Sequence, residues 1–175
     1  MSSLREIPFG RPMLGPEEKA AVMEVLDGPM LVHGYRTKAF EIAFSDFVGG
    51  GSWAVAVNSC TAALHLALLA HGVGNGDEVI VPAQTHIATA HSVEFCHAKP
   101  IFVDAEPETG NIDISQIDAK ITDRTKAISI VHYIGMPVDM DAVNVIALRY
   151  GLTVIEDAAL AIGSRYKNIH AGLLG

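Results

Sequence analysis

Asp157 closes the apolar run Val154-Ile155-Glu156-Asp157, and Asn58-Ser59-Cys60-Thr61 opens the helical stretch Ala62-Ala63-Leu64-His65-Leu66-Ala67. The first places a carboxylate at the C-terminal end of a strand. The second offers hydroxyls and backbone N–H groups at a helix N-terminus, where unpaired donors and the helix dipole favour an anion. A third segment, Pro82-Ala83-Gln84-Thr85-His86, sets an imidazole at the start of the next helix, where a flat ring can stack on a ligand ring. Together they suggest a site for a phosphorylated, nitrogen-bearing cofactor. Each segment also has a purely structural reading: Ser59 or Thr61 as an ordinary helix cap, His86 as a capping or surface histidine, Asp157 as a cap. The residues alone leave both readings open at each position. No lysine stands in a context suited to covalent catalysis; Lys167, in Arg165-Tyr166-Lys167-Asn168, reads as part of an exposed turn.

The elements that would position these groups alternate regularly. Pro16-Glu17-Glu18 reads as a first helical turn, with Val22, Val25 and Leu26 at helical spacing and a stop at Asp27-Gly28-Pro29. A second helix is expected over Thr37 to Phe47, ended by Gly49-Gly50-Gly51. Trp53 to Val57 then reads as a buried strand, followed by helix Thr61 to His71, strand Glu78 to Val81, helix Thr85 to Phe95 and strand Pro100 to Val103. A short helix near Ser115 to Lys120, strand Ala127 to Val131, helix Met140 to Tyr150 and strand Thr153 to Ile155 complete the pattern. Five Val/Ile-rich runs separated by helices predict an α/β fold in one domain, a mostly parallel sheet with helices on both faces. In such sheets ligands bind beyond the C-terminal strand ends, which is where the three segments fall.

Composition narrows the function classes. The chain has 175 residues, half of them hydrophobic, enough for one sizeable α/β core. Its formal charge is −8 with the acids scattered, which argues against nucleic acid or an anionic membrane surface as the main partner. Cys60 and Cys96 form no CxxC and predict neither a disulfide framework nor a zinc site, in keeping with a reducing cytoplasm. The N-terminal Met1-Ser2-Ser3-Leu4-Arg5-Glu6 lacks an apolar signal region, and no stretch has the length of a membrane span, so a soluble cytoplasmic protein is expected.

Two motifs are set aside. Gly49-Gly50-Gly51-Ser52 precedes its strand and lacks both the GxGxxG spacing and a GK[ST] ending, so it reads as a helix stop and turn instead of a phosphate loop; this also counts against a nicotinamide-binding Rossmann protein. His86, His91, Cys96 and His97 invite a metal reading, but the five-residue step from His86 to His91 puts those two on different helical faces, and no metal is expected.

Six blocks, in order and spacing, carry a resemblance. They are Ile7-Pro8-Phe9-Gly10-Arg11-Pro12, Asn58 to Ala67, Gly76-Asp77-Glu78-Val79-Ile80-Val81-Pro82, Ala98-Lys99-Pro100-Ile101-Phe102-Val103-Asp104, Pro137-Val138-Asp139-Met140-Asp141 and Ile155-Glu156-Asp157-Ala158-Ala159. The chain resembles, from about Ile7 to Gly175, the DegT/DnrJ/EryC1/StrS sugar aminotransferases. The resemblance implies the large-domain part of a fold type I enzyme that uses pyridoxal 5'-phosphate (PLP). Residues 1–175 would form the N-terminal part of that domain, with a C-terminal small domain absent from this chain and a homodimer as the working unit.

Under the resemblance, Ser59, Cys60 and Thr61 would hold the cofactor phosphate. His86 would lie over the pyridine ring, where relatives usually carry an aromatic side chain. Asp157 would be both cofactor ligand and catalytic residue, keeping the ring nitrogen protonated so that the ring accepts electrons when a Cα proton departs. The implied reaction moves an amino group from a donor amino acid such as glutamate to a nucleotide-linked keto sugar, as in polysaccharide or antibiotic sugar biosynthesis. Where relatives read Glu-Asp-Ala-Ala-Gln-Ala-His-Gly, this chain has Leu160 and Ile162 in place of Gln and His. In relatives the imine-forming lysine lies a little beyond the position of Gly175, so this piece alone is expected to lack turnover. The alternatives are a PLP-dependent sugar dehydratase, in which histidine replaces that lysine, and a non-catalytic PLP-fold regulatory or binding protein.

Overall fold

Alternate residues of the central strands are apolar on both sides, and a strand patterned in this way is stable only when both faces of its sheet are covered. The computed structural model, which describes residues 10, 12–32, 34–49 and 51–175, has this arrangement. Contacts divide the chain into two units, one reaching to Phe40 and one running from Glu41 to Gly175. Most of the N-terminal block from Ile7 to Pro12, the N-terminal residues Met1 to Glu6 and Gly50 lie outside the described residues.

In the first unit, helix α1 (Pro16–Leu26) begins as the sequence predicts, with Pro16 in the first turn and the Gly15 N–H donating to Glu18 Oε2 at 2.6 Å. Helix α2 (Tyr35–Val48) starts two residues before the expected helix and crosses from the first unit into the second. Neither helix has a buried residue.

The second unit holds α3 (Cys60–Ala70), β1 (Glu78–Pro82), α4 (Ile87–Phe95), β2 (Lys99–Val103), β3 (Thr125–Val131), α5 (Met140–Tyr150) and β4 (Thr153–Asp157). The four strands form one parallel sheet in the order β2-β1-β3-β4. Val79 and Val81 of β1, Ala127 of β3 and Ile155 of β4 pack with Leu64 and Leu68 of α3 and Val93 of α4 on one face. Ile80, Ile128 and Ile130 point the other way and pack with Met140, Val143, Ile146 and Ala147 of α5. The three- and four-residue spacing of those α5 positions explains why it buries a single stripe. Asp139 caps α5 by accepting from the Ala142 N–H, and Gly151, at φ 65°, ends it in the left-handed conformation that glycine adopts without strain. Two single 3₁₀ turns, Ile114–Gln116 and Asp118–Lys120, stand where a short helix is expected.

One expectation fails. Trp53 to Val57 is no strand: Trp53 is 93% exposed and Val55 80%, and among the described residues no strand pairs with the segment. Alternation supplies the side-chain pattern of a strand but not the partner whose ladder hydrogen bonds make one. Among the described residues the sheet therefore has four strands instead of five. A pair of short strands that the sequence reading does not foresee, β5 (Arg165–Tyr166) and β6 (Ile169–His170), forms a hairpin after β4. No helix among the described residues is long and apolar enough to cross a membrane.

Candidate functional site

Strand alternation decides where the carboxylate of Asp157 goes. Ile155 faces α3 and α4, so Asp157, two residues on, turns to the same face, while Val154 and Glu156 turn to the α5 side. Asp157 is only 7% exposed, and a buried carboxylate needs donors. It has three. Oδ1 accepts from the Ala159 N–H at 3.2 Å and from the Cys60 thiol at 3.8 Å; Oδ2 accepts from the Thr89 hydroxyl at 3.2 Å. An ionised carboxylate has about four lone-pair positions, so one acceptor position, on Oδ2, is left.

Cys60 is the first residue of α3, and Ser59 is its cap, the Ser59 Oγ accepting from the Ala62 N–H at 3.1 Å. The cap satisfies the third N–H of the helix. The N–H groups of Cys60 and Thr61 have no intrahelical acceptor within reach, as at every helix start. The Thr61 hydroxyl has no hydrogen-bond partner among the described residues. The cap reading and the anion reading are therefore compatible, because they use different donors. Cys60 joins the two features: its backbone belongs to the exposed helix start and its thiol reaches Asp157. Burial, then the Asp157 charge and the hydrogen bond to it, push the Cys60 thiol pKa up.

His86 is the cap of α4, which begins at Ile87, two residues after the expected start. Its Nδ1 accepts from the Ala88 N–H at 3.2 Å, which assigns any single ring proton to Nε2. The ring is exposed, so capping leaves its face free to meet a ligand. His91 lies 3.9 Å from Glu94, and Cys96 is buried with Sγ 3.4 Å from the Ser92 carbonyl oxygen; among the described residues no three potential metal ligands gather. Leu160 and Ile162 are both exposed. Lys167 and Asn168, at φ 48° and 68°, are the two turn residues of the β5–β6 hairpin, so Lys167 occupies an exposed turn as the sequence suggests.

Two features escaped the sequence reading. Thr89 is fully buried and holds Asp157; its only sequence signal is that Thr85 precedes it by one helical turn. On the opposite sheet face Glu156 gathers four donors: His132 Nε2 and the Gly172 N–H on Oε2, and the Leu174 and Gly175 N–H groups on Oε1.

These residues suit a phosphorylated pyridine. Two helix-start N–H groups and a hydroxyl match a phosphate, and a buried carboxylate with one acceptor position left matches a protonated ring nitrogen.

Residues 12–175 match the model of the DegT/DnrJ/EryC1/StrS aminotransferase family. Among solved structures, S. venezuelae DesV, in complex with a ketimine intermediate, is 40% identical, with a TM-score of 0.85 over 89% of this chain and 42% of its own. The putative sugar aminotransferase Spr1654 from Streptococcus pneumoniae, in its PLP form, is 31% identical, with a TM-score of 0.91 over 98% of this chain and 47% of its own. Helicobacter pylori PseC, an aminotransferase involved in the biosynthesis of pseudoaminic acid, is 32% identical, with a TM-score of 0.87 over 95% of this chain and 45% of its own. The chain thus spans less than half the length of each of these structures.

Proposed function

We propose, from the premise that the chain belongs to the DegT/DnrJ/EryC1/StrS aminotransferase family, that the intact protein is a PLP-dependent aminotransferase acting on a nucleotide-linked keto sugar. Its α/β fold is the large-domain part of a fold type I PLP enzyme. The donor in this reading is an amino acid such as glutamate. The protein works in the cytoplasm as a homodimer, and this chain is the N-terminal part of its cofactor-binding domain.

The observation that carries the reading is the reach of Cys60: the residue opening the α3 N-terminus also contacts the buried Asp157 carboxylate, at 3.8 Å. Opposite electrostatic demands, for an anion and for a cationic nitrogen, are thereby met side by side. When bound, the cofactor supplies an electron sink for carbanion chemistry. The chain's own residues do the rest. Asp157 Oδ2 would accept the ring N–H, the Cys60 and Thr61 N–H groups and the Ser59 and Thr61 hydroxyls would hold the phosphate, and His86 would cover the ring.

The test is a spectral titration of the intact protein. PLP should bind with a visible absorbance change, glutamate should bleach it, and a keto sugar nucleotide should restore it; a protein whose bound PLP ignores both partners is not this enzyme. Thr61→Val should weaken PLP binding by about 1 kcal/mol with the fold intact, because one hydroxyl is lost and no backbone donor. An unchanged dissociation constant removes Thr61 from the phosphate site.

A further inference from the structure

Thr89 is an unusual place for a hydroxyl. It lies on α4 with no solvent exposure, in the layer where α3 and α4 cover the sheet. A serine or threonine inside a helix commonly bonds back to a carbonyl of the preceding turn. Thr89 instead stands 3.2 Å from Asp157 Oδ2 and 2.8 Å from the Thr85 hydroxyl. The direction of both bonds follows from the inventory of protons. A carboxylate only accepts, so the single Thr89 proton goes to Asp157; Thr85 must then be the donor to Thr89. The two hydroxyls form a short chain polarised toward the carboxylate, each bond strengthening the next.

The consequence is geometric. With Ala159 and Cys60 on Oδ1 alone, the carboxylate could still swing about the bond to its carbon. A third donor on Oδ2 fixes its plane and defines the direction of the remaining Oδ2 lone pair. Threonine suits this task because its β-branched side chain has few rotamers in a helix, and the Ser92 hydroxyl, 2.8 Å from the Thr89 carbonyl oxygen, ties down its backbone.

We propose that Thr89, supported by Thr85, is a positioning residue that aims Asp157 Oδ2 at the ring nitrogen of the cofactor. The inference rests on the reading of Asp157 as the partner of that nitrogen. It assigns to α4 a second duty besides presenting His86.

The experiment compares two ligands on the intact apo protein: PLP, and the analogue in which the ring nitrogen is replaced by CH. Wild type should prefer PLP. Thr89→Val should weaken PLP binding about tenfold, the loss of one hydrogen bond to a charged group, while binding of the analogue changes less than about twofold. Thr89→Ser, which restores the hydroxyl, should recover most of the preference. A merely structural Thr89 would lower both affinities together, and that result overturns the proposal. So does a Thr89→Val protein with unchanged affinity for PLP while Asp157→Asn loses its preference, an outcome that leaves the proposed function standing. A wild type that binds both ligands equally overturns the proposal together with the reading beneath it. Should Thr89→Val fail to fold, Thr85→Val carries the same comparison: a selective loss of about threefold is expected, and no selective loss overturns the proposal.

Discussion

His132 Nε2 lies 2.8 Å from Glu156 Oε2, in a pair whose side chains are 0% and 5% exposed. The other ring nitrogen fixes the proton: Nδ1 accepts from the Val138 N–H at 3.1 Å, so Nε2 carries the hydrogen that Glu156 receives. Glu156 also accepts from Gly172, Leu174 and Gly175 at 2.5 to 2.7 Å. The pair therefore ties the loop after β3 and the turn before Val138 to the segment after β6. On adjacent positions of β4, Glu156 organises one side of the sheet and Asp157 the other. The two carboxylates are neighbours in sequence with separate tasks.

Glu156→Gln tests the first task. A glutamine oxygen can keep the Leu174 and Gly175 donors, but its amide hydrogens then face the Gly172 N–H and His132 Nε2–H, two donors against donors. His132 cannot relieve the conflict by moving its proton, because Nδ1 is committed to Val138. A loss of about 3 kcal/mol in unfolding free energy is expected, read from urea denaturation of the intact protein. A midpoint within error of wild type would show that the segment is held by other means.

The same pair predicts an acid-side weakness. Burial alone would raise the Glu156 pKa, but the hydrogen bonds from His132, Gly172, Leu174 and Gly175 together hold it below its ordinary value of 4.5. A depressed folded-state pKa means that this stabilisation is fully present above pH 4.5 and is lost as the pH falls through the folded value. Glu78 behaves alike, held low by the Thr122 hydroxyl against its own burial, with Arg124 assisting. Melting temperatures measured downward from pH 6 should therefore drop below about pH 4.5, and the drop should be shallower in Glu156→Gln. Parallel curves for the two proteins would remove Glu156 from the acid transition.

What the sequence revealed was what depends on near neighbours. The helices and strands from α3 to β4 were legible because period-two and three-to-four spacing sort Val79, Ile80 and Val81 onto opposite faces and Met140, Val143 and Ile146 onto one. Asp157 and the α3 start were legible because strand ends and helix starts are local features. Thr89 was not, since its partner lies 68 residues away and no local pattern distinguishes it from a core threonine. Trp53 to Val57 misled for the same reason: its pattern is local, but strand formation depends on a remote partner. The β5–β6 turn was half visible, because asparagine at Asn168 favours a positive φ while lysine at Lys167 does not.

Cys60 offers a reporter on the site. Cys60 is an exposed residue, whereas Cys96 is buried. The raised Cys60 pKa leaves little thiolate at pH 8, and Asp157→Asn removes the negative charge that helps to raise it. Alkylation of Cys60 by iodoacetamide should therefore run roughly threefold faster in Asp157→Asn than in wild type. PLP should slow the reaction in both. Equal rates in the two apo proteins would mean that Asp157 does not govern the thiol.

Lys167 should prove dispensable for the chemistry. An imine-forming lysine must present a neutral amine, which requires a pKa lowered by desolvation or by neighbouring cations. Lys167 has the reverse: it is exposed, its ammonium pairs with Asp141, and the hydrogen bond and charge of that aspartate raise its pKa. Its backbone, at φ 48° in a two-residue turn, fixes it on the hairpin surface. Lys167→Gln in the intact protein should keep kcat/KM within about threefold of wild type, as exposed substitutions away from a site usually do. Borohydride reduction in the presence of PLP should leave no pyridoxyl group on the Lys167 peptide by mass spectrometry. A hundredfold loss of turnover with the fold intact, or a label on that peptide, would make Lys167 the nucleophile despite its surroundings.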